Sequence, residues 1–138
     1  MRILALDVGT KNIGVAVSDE LLLTAQGRQT IRRRNLKFDL SSIADIIRDE
    51  NITEIVVGLP LNMNGSHGPK AKEITAFVEE LSRLSAVPIK TWDERLTTVQ
   101  VERVMLEADI SRAKRKANAD KLAAQVILQS YLDSRRKG

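Results

Sequence analysis

Three carboxylate positions in this chain stand where chemistry is often built. Asp7 closes the apolar run Ile3-Leu4-Ala5-Leu6 and is followed at once by the turn-forming Gly9, Lys11 and Asn12. Asp93 and Glu94 close a second apolar run, Val87-Pro-Ile-Lys-Thr-Trp92, and Asp120 begins the apolar face of a helix-patterned stretch, ahead of Ala123, Ala124, Ile127, Leu128 and Tyr131. An uncompensated carboxylate on a buried face is costly, so Asp120 calls for a cation as partner. Taken singly, each acid has a plainer reading: Asp7 as a turn residue, Asp93-Glu94 as an ion pair with Arg95, Asp120 as a helix cap or a partner of Lys116. Taken together, three oxygen-donor positions suit a hard cation, Mg²⁺ or Mn²⁺. Ions in such a cluster activate water and stabilise the leaving oxygen when a phosphodiester is displaced in line.

Other chemistries have little to work with. The chain has no cysteine, which excludes disulfides, thiolate metal sites and cysteine nucleophiles. Its one histidine, His67, lies in the turn-rich stretch LNMNGSHGP as an auxiliary proton donor or a surface residue, and no serine-histidine-acid triad is recognisable. Lys11, Asn62, Asn64 and Arg95 have loop positions from which a phosphate or carboxylate can be oriented.

The elements that must position the acids follow from hydrophobic period. Residues 2–7, 13–18 and 24–31 read as three strands with short connections, hence an antiparallel meander. Asp39 is the expected cap of a helix with Leu40, Ile43, Ala44 and Ile47 on one face. Residues 54–58 form an apolar strand, the spacing of Ile74, Phe77, Val78 and Leu81 predicts a helix from about Lys70, and 87–92 form a fifth strand. Thr97 with Gln100 resembles a capping box that opens a helix with Val101, Val104, Met105 and Ala108 inside, and a last helix runs over 118–134. Strands joined by crossover helices pair in parallel, so the expected fold is α/β, a five-stranded mixed sheet of a three-stranded antiparallel meander plus two parallel strands, flanked by helices. Ligands gather outside the carboxyl ends of parallel strands, which is where Asp7, the Gly58-Leu-Pro loop and Asp93-Glu94 fall. Alternation puts Asp93 and Glu94 on opposite faces and leaves open which of them faces Asp7.

The 138 residues suit one domain, and the net charge of +4 is unevenly spread. Residues 111–138 carry +6, from Arg112, Lys114, Arg115, Lys116, Lys121, Arg135, Arg136 and Lys137 against Asp120 and Asp133. A second basic run, Arg32-Arg33-Arg34 with Arg28 and Lys37, lies in the otherwise acidic part. Such clusters neutralise phosphates, so a nucleic-acid partner is expected, held by Lys11, Arg32, Arg33, Arg34 and the polar 109–117 segment with Arg112, Lys114, Arg115 and Lys116. Four aromatic residues are too few for a base-stacking platform of the single-strand-binding type. No apolar stretch is long enough to span a membrane and no signal-peptide pattern opens the chain, so a cytoplasmic protein with no membrane partner is expected.

The segments DVGTKNIGVAVSD, VVGLPLNMNGS, TWDERLTT and KANADKLAAQVIL resemble, in order and spacing, the YqgF family, described as RuvX-like Holliday junction resolvases or pre-16S rRNA nucleases. The resemblance spans nearly the whole chain and implies a single ribonuclease H-like domain over 1–138, with strand 4 beside strand 1 and strand 5 beside strand 4. It implies that Asp7, Glu94 of the DER motif and Asp120 of the DxxAA motif form the catalytic, metal-binding set. Asn118 and Lys121 stand beside Asp120 where related resolvases carry a fourth acid. The function implied is metal-dependent phosphodiester hydrolysis in structured nucleic acid, with the 5′ end of pre-16S rRNA in ribosome biogenesis as the favoured substrate. Resolution of branched DNA by a homodimer, and a non-catalytic rRNA-binding assembly factor, are the alternatives; the favoured reaction needs no more than a monomer. The DxGT hairpin also resembles the phosphate-binding hairpin of actin-like ATPases, which close two such domains around a nucleotide, whereas this chain supplies one.

Overall fold

A computed structural model describes residues 1–96 and 119–137. The expected helix over Val101–Ala108 and the basic segment 109–117 lie outside the described residues. In chain order the elements are β1 (Ile3–Val8), β2 (Asn12–Ser18), β3 (Ala25–Arg32), α1 (Leu36–Asp49), β4 (Glu54–Leu59), α2 (Pro69–Leu84), β5 (Ile89–Asp93), a short 3₁₀ turn (Glu94–Leu96) and α3 (Ala119–Lys137). They form one five-stranded sheet in the order β3-β2-β1-β4-β5. β1 pairs antiparallel with β2, β2 with β3 likewise, and β1–β4 and β4–β5 are parallel. The strand adjacency that the family resemblance implies is thus present, and the expected mixed sheet with it.

The central strands are apolar throughout because both faces of the sheet are covered. Leu4, Leu6 and Val8 of β1, Ile13, Val15 and Val17 of β2, and Ile55, Val57 and Leu59 of β4 pack with Ile43 of α1 and with Ala71, Ile74, Phe77 and Leu81 of α2. The alternate residues Ile3, Ala5, Ala16 and Val56 face the other way and pack with Ala124, Ile127, Leu128, Tyr131 and Leu132 of α3. Ala5 and Ala16 of the sheet and Ala124 of α3 are the small residues of this second interface and let the helix approach the strands. At Gly27 of β3 a Cβ would stand 2.6 Å from Lys121 Cγ, leaving room only for glycine unless the lysine moves. The Gln129 side-chain amide of α3 reaches the start of the same strand and the residues before it: Ala25 N–H donates to Gln129 Oε1 (3.1 Å), and Gln129 Nε2 donates to the Leu23 carbonyl (3.1 Å). At its far end α3 is tied to β4, where Glu54 Oε2 accepts from Tyr131 Oη (2.9 Å) and Arg135 Nη1 (2.9 Å).

One expectation is corrected at α1. Asp39 does not cap the helix; Asn35 does, its Oδ1 accepting from Phe38 N–H at 2.8 Å, one turn earlier than predicted. Asp39 instead lies on the inner face in the first turn, 1% exposed, where it accepts from Arg33 Nε at 2.9 Å and from the Arg34 N–H at 3.2 Å. The periodicity of Leu40, Ile43 and Ile47 sets the helix phase correctly; a local cap one turn upstream and a nearby arginine decide what Asp39 does.

Removing Asp39 strands the Arg33 guanidinium against an apolar wall. Asp39→Ala is expected to lower the unfolding free energy in a urea titration by about 2–3 kcal/mol, below the roughly 3–5 kcal/mol of a fully buried pair because Arg33 keeps a quarter of its side chain in water.

Candidate active site

Asp7 is the fifth residue of β1, and alternation puts it on the α3 side with Ile3 and Ala5. It pairs in register with Gly14 of β2, where the β2–β3 ladder slips between Ile13 and Val15. Such irregularities re-aim side chains beside functional sites. Beyond Asp7 the chain reverses tightly: Gly9 N–H donates to the Asn12 carbonyl at 2.8 Å, and a Cβ at Gly9 would stand 2.8 Å from that oxygen. The turn is pinned from outside by Arg33, whose Nη1 donates to the Gly9 carbonyl (2.8 Å) while its backbone N–H donates to the Lys11 carbonyl (2.8 Å). The Phe77 ring lies 5.5 Å below the same guanidinium.

The phase of β5 settles how Asp93 and Glu94 divide. Trp92 packs with the α3-side cluster and meets Tyr131 edge-on, ring centroids 5.7 Å apart. Asp93 therefore points to the opposite side, where it forms a forked pair with Arg95: Nε donates to Oδ1 (3.0 Å) and Nη2 to Oδ2 (2.7 Å). That pair holds the Asp93 carboxyl below its ordinary range and raises Arg95.

Glu94 is treated in the opposite way. It is half-buried, and desolvation together with the negative charges of Asp7 and Asp93 pushes its carboxyl up to about 7. Its Oε1 lies 2.6 Å from the point a Cβ would occupy on Gly58, the β4 residue paired with Trp92, and Ile127 Cδ1 of α3 lies 2.6 Å from the same point. Gly58 thus leaves the space into which the Glu94 carboxylate is folded, between the sheet and α3. An interior strand glycine is a signal of close approach, and Gly58 lies within β4 and not in the loop that the sequence predicts after it.

Asp120 is the second residue of α3, one turn before Ala124 on the row that continues through Ile127 to Tyr131. Ile127 of that row passes over Gly58. Among the described residues no group of three His, Cys, Asp or Glu side chains is gathered as a metal site; the described part of the candidate site is the Asp7–Glu94 pair. Its chemistry fits a divalent cation: two hard oxygen donors, one of them driven toward its protonated form by desolvation and by the other's charge, are the arrangement that a cation relieves.

The predicted basic residues separate into two kinds. Lys11, Arg32 and Arg34 are exposed, Arg34 with its guanidinium 4.5 Å over the Phe38 ring. Arg33 is engaged with Asp39 and Gly9 and shapes the turn beside Asp7. Arg112, Lys114, Arg115 and Lys116 lie outside the described residues. Asn62 and Asn64 are used by their own loop: Asn62 Nδ2 donates to Ser66 Oγ (2.9 Å), and Asn64 Oδ1 accepts from the Ser66 N–H (3.0 Å). No described helix is long and apolar enough to cross a membrane.

Comparison with known proteins identifies the family and the fold. The family model described as "RuvX: Holliday junction resolvase" matches residues 1–134. A protein of Symbiobacterium thermophilum named "Putative pre-16S rRNA nuclease" is 56% identical over 135 residues, covering 98% of this chain and 94% of its own length. Another of that name, from Myxococcus xanthus, is 52% identical, covering 99% of this chain and 90% of its own. Among solved structures, Thermus thermophilus RuvC in complex with a Holliday junction substrate superposes with TM-score 0.67 at 12% identity, covering 100% of this chain and 96% of that one. The fowlpox virus resolvase with Holliday junction DNA superposes with TM-score 0.57 at 18% identity, covering 98% of this chain and 99% of that one. At those identities the likeness is one of fold, and it places the chain's mixed sheet among the ribonuclease H-like folds.

Gly58→Ala tests the packing of Glu94. Both atoms in its way are side-chain ends, so the unfolding free energy is expected to change by no more than about 1 kcal/mol. The Glu94 carboxyl, pushed outward into water, is expected to titrate near the ordinary glutamate range in a carbon-13 NMR series instead of at about 7. An unchanged titration would show that Gly58 does not set its environment.

Proposed function

The chain belongs to the RuvX Holliday junction resolvase family, and on that premise we propose that it is a divalent-metal-dependent endonuclease that trims the 5′ end of pre-16S rRNA. The observation that carries the reading is the Asp7–Glu94 pair, two carboxylates brought together at the carboxyl ends of parallel strands with a raised Glu94 pKa. RNA is preferred to branched DNA as substrate because the relatives sharing half or more of their residues with this chain carry the rRNA nuclease name, while the junction-bound neighbours share under a fifth.

In this reading Asp7, Glu94 and Asp120 would hold Mg²⁺ or Mn²⁺. The bound ion supplies an activated water and stabilisation of the leaving oxygen. The protein's own residues do the rest. Glu94 gives up its proton before it serves as a ligand, and Asp7 contributes a second negative oxygen. Arg33 holds the Gly9 turn and with it the end of β1, and exposed Lys11, Arg32 and Arg34 hold backbone phosphates on either side of the scissile one. The 109–117 segment adds further phosphate contacts.

The test is cleavage of a pre-16S transcript by purified protein with Mn²⁺, beside a four-way DNA junction at equal concentration. Cleavage of the transcript is expected in wild type and a loss of at least about 100-fold in Asp7→Asn, with RNA binding retained. Equal cleavage by Asp7→Asn would remove Asp7 from the mechanism, and preferential cutting of the junction would reverse the substrate assignment.

A further inference from the structure

The loop from Pro60 to Gly68 carries a feature that the proposed chemistry does not use. Its tip, Met63, is 92% exposed, more than any other large apolar side chain among the described residues. Exposed methionine is usually mobile, but this one is mounted on a braced turn. Gly65 N–H donates to the Asn62 carbonyl (2.8 Å), Asn62 N–H to the Ser66 carbonyl (2.9 Å), and Gly65 takes a φ of 85°, a conformation that favours glycine. The side chains of Asn62, Asn64 and Ser66 bond to one another, so the loop's amides are spent on its shape.

The turn is also tied to the residue that follows Glu94 in sequence. Arg95, the residue after Glu94, donates from Nη1 to the Met63 carbonyl at 3.1 Å while its other nitrogens are forked onto Asp93. The Asp93–Arg95 pair therefore sets the position of the Met63 backbone relative to the Glu94 backbone. The loop contains no Lys, Arg, Asp or Glu, and His67 is its one ionisable side chain. What it projects is a flexible, polarizable apolar side chain at the edge of a site read as cutting nucleic acid.

We infer that Met63 is a wedge that inserts at a weakly stacked base step of the nucleic-acid substrate. Apolar side chains used in this way unstack a step and bend the helix, and the cost falls where bases are bulged, mismatched or at a branch. Phosphate contacts fix the register of the strand on the protein, whereas the Met63 contact selects for deformable structure near the scissile phosphate. The inference rests on the nuclease reading above and deepens it: the substrate class is nucleic acid with an interrupted stack, and Met63 is a specificity residue rather than a catalytic one.

The experiment uses full-length protein carrying Asp7→Asn, so that binding is observed without cleavage, and a stem–loop RNA with one bulged nucleotide next to a 2-aminopurine. Binding of the parent is expected to raise 2-aminopurine fluorescence as the base unstacks. Adding Met63→Ala is expected to abolish that rise and weaken binding about tenfold, with the slope of affinity against salt unchanged because no phosphate contact is lost. Met63→Leu, which keeps the apolar reach, is expected to restore both. Equal fluorescence and affinity in parent and Met63→Ala would overturn the wedge while leaving the nuclease reading intact. Failure of the parent itself to bind the RNA would overturn both. Because the side chain is almost wholly in water, neither substitution threatens the fold.

Discussion

Two like charges held beside each other in a half-dry place are the constraint on which the rest of this structure depends. Asp7 and Glu94 lie far apart in sequence, and desolvation first, then the negative charges of Asp7 and Asp93, moves the Glu94 carboxyl to about 7. Nothing in local propensity brings such a pair together. It is held by a sheet whose register is set by apolar side chains on both faces, by Trp92 fixing the phase of β5, and by Gly58 leaving the space that Glu94 fills. The fold accepts an unfavourable electrostatic arrangement at one edge because burial elsewhere exceeds it.

The neighbouring arginines show how the tension is confined. Asp93, one residue before Glu94, is neutralised by a forked arginine and turned away from the α3 side, where Glu94 lies. Arg33 holds the turn after Asp7 by a carbonyl contact rather than a carboxylate contact, its own charge being met by buried Asp39. Lys11, Arg32 and Arg34, left in water, are suited to a partner's phosphates.

Much of this was legible in the sequence, and the misses have definite causes. Unbroken apolar runs at Ile3–Leu6 and Ile55–Val57 mark buried central strands, and the spacing of Ala124, Ile127, Leu128 and Tyr131 gives the inner face of α3. Asp39 reads as a cap because a cap and a buried first-turn acid occupy nearly the same place in a helical pattern; only the approach of Arg33, just past the end of β3, distinguishes them. The division of labour between Asp93 and Glu94 depends on which way Trp92 faces, a fact of packing across the sheet and not of local spacing. Gly58 carried a signal, a glycine within an apolar strand, that was readable as a close approach to a ligand or side chain.

The central claim, that Glu94 is a metal ligand held in reserve as an acid, makes cation binding and proton release one event. Calorimetric titration with Mn²⁺ in buffers of different ionisation enthalpy counts those protons. With a Glu94 pKa of about 7, wild type is predicted to release about three-quarters of a proton per bound ion at pH 6.5 and close to none at pH 8.5, because Glu94 is already ionised there. Glu94→Gln is predicted to bind the ion more weakly and to release none at either pH. Proton release that is independent of pH, or that survives in Glu94→Gln, would contradict the account.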